Sequence, residues 1–523
     1  MSLARKFASV GAATMASRVL GFVREALIAA VLGTGPVADA FYAAFRFPNL
    51  FRRLFAEGAF NAAFIPLFAK QLESGGTQAA QDFAQQVLSV LLVVLTALTA
   101  LALIFMEPLA ATVIAQGFGD MPGKLELTAG LGRIMFPYLA AMSLVAMLSA
   151  ILNSYRRYFL AALSPVLLNV ALIVALLIAV VVDAGTVAIG VMMAAGVTVS
   201  GILQLALLAY GVRRTGFRIQ IGRPRLSPPV RRLLWLALPA AVTGGITQIN
   251  LLVGQNIVSG DSGAVSIINF ADRVNQLPLG VIGIAIGVVL LPELSRALKA
   301  DNRDTVLHLQ NRSLEFGLGL TIPAAVALFV IPAPIVALLF ERGAFSREDT
   351  ELTAAVLGGF AVGLPAFVLN KIFTPSFYAR ENMRAPMWFA GANAAVNIVG
   401  SLILFPLIGV LGVAIATSLA GWVNVLLLAT ALYWRDEFRP AAETMRRIVL
   451  IMVGSALMGA GLYVAMTLFE PQLMDGPLLS RLLLMGSLIA FGAAIYFGFV
   501  LATGAMTRRQ VMTALSSRGS GHD

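Results

Sequence analysis

Arg18-Val-Leu-Gly-Phe-Val-Arg24-Glu25, followed by Ala38-Asp39-Ala-Phe-Tyr-Ala-Ala-Phe-Arg46-Phe-Pro-Asn49-Leu-Phe-Arg52-Arg53-Leu-Phe-Ala-Glu57, puts charge where charge is expensive. The surrounding residues are apolar enough to cross a bilayer twice, and an ionised side chain at membrane depth persists mainly where it faces a wet cavity or a partner. Five arginines stand against three carboxylates in this stretch. A cavity with that balance should hold an anion.

Outward from this segment the chain is uniformly apolar. Of its 523 residues, 59% are hydrophobic and 12% charged, where a soluble protein carries about 25% charged residues. The composition predicts an all-α polytopic membrane protein. A window of about 19 residues gives some fourteen spans, near 8–32, 37–66, 84–112, 128–153, 159–182, 186–210, 231–257, 264–292, 314–340, 351–375, 386–406, 409–433, 446–468 and 480–503. No cleavable signal peptide is visible at Met1–Arg5. There is no cysteine, and the two histidines, His308 and His522, lie in polar segments. Thiol chemistry is excluded and little remains for a histidine-based metal site.

The net charge of +11 is explained by its placement. Basic residues crowd the loops of one side, as in Arg156–Arg157, Arg213–Arg232, Arg296–Arg312, Arg380–Arg384 and Arg435–Arg447. The opposite loops hold only Lys124, Arg342, Arg347 and Arg481. By the positive-inside rule both termini are cytoplasmic, and topogenic charge replaces nucleic-acid binding as the reading of these loops.

Shifted against itself by about 226 residues, the sequence repeats. Asn49 falls on Asn275, Pro66 on Pro292, Lys70 on Arg296 and Arg46 on Asp272. Further on, Arg156 falls on Arg380 and Asn169 on Asn393. Six spans per half make the repeat parallel, with its axis along the membrane normal, as in secondary transporters whose site lies at the lobe interface. The expected organisation is an N-lobe at 1–216, a cytoplasmic linker at 217–230 and a C-lobe at 231–440. A C-terminal helix pair at 441–505 and a cytoplasmic tail at 506–523 follow.

Helix positions seven apart share a face, which aligns Asp39, Arg46 and Arg53 with Asn49 nearby, and Arg18 with Glu25. Pro48 invites a bend. The charges could neutralise one another as Arg18–Glu25, Arg46–Asp39 and Arg53–Glu57. Arg24, Arg52 and Arg273 (beside Asp272 in span 8) are then left over, and arginine suits bidentate phosphate binding. The candidate substrate-binding set is Arg18, Arg24, Asp39, Asn49, Arg52, Arg53 and Arg273, supported by Glu25, Arg46, Glu57 and Asp272. Gly117–Lys124 has the wrong spacing for a phosphate loop and reads as a turn. No catalytic constellation is visible, so the chain is not expected to be an enzyme.

These motifs in spans 1 and 2 closely resemble the MviN/MurJ lipid II flippases of the multidrug/oligosaccharidyl-lipid/polysaccharide exporter superfamily, and the resemblance covers essentially the whole chain. It implies transport of the undecaprenyl-linked peptidoglycan precursor across the bacterial inner membrane by alternating access, as a monomer without cofactor. Central-cavity charges of that family match Arg18, Arg24, Asp39, Arg52 and Arg273, with Asn49 nearby. The arginines would meet the pyrophosphate, and spans 13 and 14 would form a groove for the polyprenyl tail. Membrane potential or an ion gradient, not ATP, would drive the cycle. Some members look sodium-dependent; the matching positions, Asn250, Asn393, Asn397 and Thr417, are all neutral, whereas a hard cation prefers anionic oxygen. An exporter of another polyprenyl-linked glycan, or of small molecules, would share the fold. A drug exporter, however, would want a carboxylate-dominated cavity.

Overall fold

The computed structural model describes residues 3–53, 60–218 and 220–506, which hold seventeen α-helices and no strand. Two compact units divide them, Met1–Ser266 and Ile267–Asp523.

In the first unit α1 (Leu3–Leu32) and α2 (Pro36–Arg52) are joined by a tight turn at Gly33, whose φ is +59°. Proline in the first turn of α2 fits a position whose N–H has no helical partner. α2 runs through Pro48 to Arg52, so the bend expected at that proline does not end the helix. α3 (Phe60–Ile104) is broken at Gly76, where φ +68° and ψ −166° suit only glycine. Its first arm continues span 2 and its second arm forms span 3. After α3 come α4 (Met106–Leu109), a π-turn at Ala110–Ile114 and a 3₁₀ turn at Gln116–Asp120. Then follow α5 (Lys124–Met135), α6 (Pro137–Ser154), α7 (Tyr158–Val181), α8 (Thr186–Arg213) and α9 (Pro228–Val258). α1 packs on α7, α7 and α6 on α8, α2 on α5, and α3 on α6 and α9. Lipid gives no hydrophobic drive between helices, so close approach of small residues does this work. A Cβ on Gly201 of α8 would lie 2.9 Å from the Tyr138 ring of α6.

α10 (Ala264–Lys299) crosses the boundary between the units. The second unit continues with α11 (Arg303–Val330), α12 (Pro332–Phe340), α13 (Arg347–Tyr378), α14 (Arg384–Ile408) and α15 (Val410–Trp434). It closes with the hairpin α16 (Ala442–Met474) and α17 (Leu478–Ala502). α13 packs on α15 and α11, α14 on α15, and α16 on α11 and α17. A capping box of Ser346 and Asp349 starts α13.

The sequence repeat appears in the element boundaries. α1 ends at Leu32 and α9 at Val258; α3 ends at Ile104 and α11 at Val330, each pair 226 residues apart. Spans 3 and 9, expected as continuous helices to 112 and 340, both break, and short α4 and α12 follow. At Ile331 the next residue, Pro332, disfavours helical backbone. Phe105 makes the matching break without an adjacent proline.

Each unit also clamps the connection that leads into its last packed helices. Ser89 of α3 accepts from Gly222 N–H at 3.0 Å. Asn311 of α11 donates to the Arg439 carbonyl at 3.1 Å and accepts from Ala441 N–H at 2.9 Å. α9, which the repeat assigns to the second lobe, packs on α2, α3 and the 110–120 segment, so the compact units part at Ser266.

Among the described residues, ten helical segments are long and apolar enough to cross a membrane, and they correspond to spans 3–6 and 9–14. The other four expected spans fall on α1, on α2 with the first arm of α3, on α9 and on α10. Their described parts are helical; α1, α2, α9 and α10 stand outside those ten, while the first arm of α3 from Ala63 on belongs to the segment of span 3.

Candidate functional site

Two polar clusters grow from the charged segment of α1 and α2. In the first, Arg24 pairs with Glu25, its neighbour on α1, and the second oxygen of that carboxylate accepts from the Tyr42 hydroxyl of α2. A second guanidinium nitrogen of Arg24 donates to Asn169 Oδ1 on α7 at 3.0 Å, and Asn169 Nδ2 donates to the Ser17 carbonyl at 2.9 Å. The arginine is therefore held from two helices. Its Nε is buried with no hydrogen-bond partner among the described residues. A buried donor left in that state costs about 1–3 kcal/mol, and an anionic ligand could remove the penalty.

The second cluster surrounds Asp39, which is fully buried. One carboxylate oxygen takes Lys124 Nζ at 2.8 Å and Gly263 N–H at 2.7 Å. The other takes Ser266 N–H and Oγ, both at 2.8 Å. Lys124, also buried, lies 4.0 Å from the centroid of the Phe118 ring. Asp39 thus sits at the N-terminus of α10, where free N–H groups and the helix dipole favour negative charge. The lysine completes the neutralisation.

This end of the unit, opposite its arginine-rich loops, is closed by further contacts. Gln255 of α9 donates to the Ile114 carbonyl at 2.8 Å, Gln116 N–H to Asn256 Oδ1 at 2.6 Å, and Gly117 N–H to Ser259 Oγ at 2.8 Å. A Cβ on Gly117 would lie 2.4 Å from Gly260 N, and one on Gly263 would lie 2.8 Å from the Thr34 carbonyl. Glycine is required at both places. Gly263 also has φ +81°.

The remaining candidates are more dispersed. Arg18 and Arg53 are exposed, while Arg46, Asn49, Asp272 and Arg273 are half-buried. Arg46 Nη1 lies 3.4 Å from the Leu251 carbonyl, and Asp272 accepts from Gln276. The Arg52 side chain and the whole of Glu57 lie outside the described residues. Two expected pairings are replaced. Glu25 is engaged by Arg24 and Tyr42 where Arg18 was expected, and Asp39 by Lys124 where Arg46 was expected. The seven-residue stripe described one helix, whereas the actual partners come from neighbouring helices. In the second unit, Thr417 of α15 donates to Asn397 of α14 at 3.0 Å, while Asn393 is half-buried. Asn250 of α9 is half-buried in the first unit.

Sequence reasoning missed Tyr42, Lys124, Asn169, Gly263 and Ser266. Lys124 had a signal, as the lone basic residue of the first outer loops. Asn169 had one in its repeat match to Asn393.

The model of the family described as lipid II flippase MurJ matches residues 28–484. A probable lipid II flippase MurJ of Rhizobium meliloti is 51% identical over 99% of this chain and 98% of its own length. The lipid II flippase MurJ of Burkholderia cenocepacia is 35% identical over 88% and 90%. Among solved structures, a lipid II flippase MurJ in an inward closed conformation matches with a TM-score of 0.77 and 26% identity, covering 94% of this chain and 99% of that one. An inward-facing multidrug transporter of the MATE family shares the fold, with a TM-score of 0.65 and 16% identity over 83% of this chain and 95% of its own. With the arginine-rich first helices, the 226-residue repeat and the multi-pass fold, these matches place the chain in the MurJ family of lipid II flippases.

Proposed function

We propose that this protein moves lipid II from the cytoplasmic to the periplasmic leaflet by alternating access. Arg18, Arg24, Arg52, Arg53 and Asn49 of the first two spans, with Arg273 of α10, act on the lipid's diphosphate. Glu25 and Asn169 hold Arg24 in place. The observation that carries this reading is the Arg24 guanidinium, fixed by Glu25 and Asn169 yet keeping one buried N–H without a partner among the described residues. Buried polar groups are mostly hydrogen-bonded, so a fixed guanidinium with a donor to spare is suited to an anion.

Asp39 takes a second role in this reading. With Lys124, Gly263 and Ser266 it latches the periplasmic side shut while the cytoplasmic side is open. The lobes 1–216 and 231–440 then move as near-rigid bodies, the 441–505 pair carries the prenyl tail, and both termini are cytoplasmic. Arginine-borne charge couples the cycle to the membrane potential, at about 2.3 kcal/mol per charge per 100 mV. Collapsing the potential at fixed sodium should slow flipping; a cycle that follows sodium alone would sink this coupling.

The test of function is depletion followed by complementation. Loss of the protein should leave lipid II on the cytoplasmic leaflet, and the wild-type chain should restore its flipping. Arg24→Lys, present at normal level, should restore little, because an ammonium cannot match the guanidinium fork. Accumulation of a different lipid-linked glycan, with lipid II unaffected, would overturn the proposal.

A further inference from the structure

A cavity of about 530 Å³ opens in the second unit where the first turns of α11 and α16 meet, among the basic loops. Its lining includes the start of α16, in the helix pair assigned above to the prenyl tail, but none of the residues assigned to the diphosphate. Its wall carries three arginines, Arg312, Arg439 and Arg447, against Glu315 and Glu443. Both glutamates are already engaged. Glu315 is buried and takes Arg447 at 2.9 Å and the Thr444 hydroxyl at 2.7 Å, while Glu443 takes Arg447 at 3.1 Å. Arg312 is exposed and has no ion-pair partner among the described residues; Arg439 reaches Asp436 at 2.7 Å and is otherwise open to solvent. Two of the guanidinium groups that line the cavity therefore retain donors not taken up by a carboxylate among the described residues.

A second feature points the same way. α16 begins at this cavity, and its N-cap, Ala441, offers no side-chain acceptor to the N–H groups of the first turn. The first turn carries Glu443, whose charge Arg447 and Arg446 offset, and a helix start with no capping side chain is suited to an anion. Apolar Leu307 and Ala441 also line the cavity. That mixture fits a group at the boundary between headgroups and acyl chains, and basic pockets between helix ends on the cytoplasmic side are suited to anionic lipid headgroups.

We propose that this cavity binds a phosphate-bearing anion through Arg312, Arg439 and the start of α16. The phosphate could belong to a lipid headgroup or to a soluble molecule, and the chemistry is shared. The assignment goes beyond the flipping reaction and does not depend on it.

The test uses the full chain in neutral detergent, titrated with short-chain phosphatidylglycerol, with phosphatidylcholine of the same chain length, and with inorganic phosphate. Phosphatidylglycerol should bind in preference to phosphatidylcholine. Arg312→Gln should weaken binding about fivefold and Arg312→Gln/Arg439→Gln about thirtyfold, given about 1 kcal/mol per basic residue. Arg223→Gln/Arg225→Gln, on a different basic loop, should leave binding unchanged. Phosphate that competes at similar affinity identifies a soluble anion as sufficient; phosphate that fails to compete identifies the lipid headgroup. Failure of both phosphatidylglycerol and inorganic phosphate to bind, or binding that is indifferent to both pocket arginines or reduced equally by the Arg223/Arg225 variant, would overturn the proposal.

Discussion

Asp39 shows how a residue chosen for its charge acquires its meaning from partners distant in the sequence. Its membrane depth was legible, since a carboxylate between apolar neighbours needs compensation. Its compensators were not, because Lys124 and Ser266 lie 85 and 227 residues away, and helical spacing reports only on one helix. Removing one member of a buried ion pair leaves a bare charge, at about 3–5 kcal/mol. Asp39→Asn should therefore lower the midpoint of thermal unfolding in detergent. Asp39→Asn/Lys124→Gln should recover much of the loss, since residues in contact do not add. Losses that simply sum would separate Lys124 from the latch. Arg24 was legible as a leftover cation, but its hold through Asn169 was not, as asparagine in an apolar helix has many uses.

At the scale of elements, most helices followed from hydropathy. The break after Ile104 was hidden, because no proline adjoins Phe105, whereas the one after Val330 had a signal in Pro332 that a hydropathy window passes over. The segment 117–124 read as a turn, and it is one locally, with Gly123 at φ +75°. Its contact with the end of α9 depends on a backbone approach that no local pattern records. Gly117 makes that approach possible, and Gly117→Ala would drive a Cβ into Gly260 backbone. The variant should insert and accumulate normally yet hold the outer side partly open. A cysteine at Thr34 should then react faster with an impermeant thiol reagent than in the parent. Unchanged reactivity would remove the Gly117 contact from the closing device.

For the whole molecule, the repeat was legible as a shift of 226 residues, and the loop arginines set the expected orientation. Orientation is tested by labelling cysteines at Leu226 and Glu348, exposed positions that leave the helix caps intact. Glu348→Cys should react from outside intact cells and Leu226→Cys should not; the reverse pattern would invert the topology. The central claim is that the contact between the turn after α1 and the start of α10 opens and closes once per transport cycle. Thr34 already touches Gly263, whose neighbour Ser262 is exposed. The most direct measurement is lipid II flipping by the Thr34→Cys/Ser262→Cys protein, which contains no other cysteine, before and after oxidation. The account predicts that the crosslink forms, that flipping stops, and that a reducing agent restores it. A crosslink formed in full with flipping at its normal rate would contradict it.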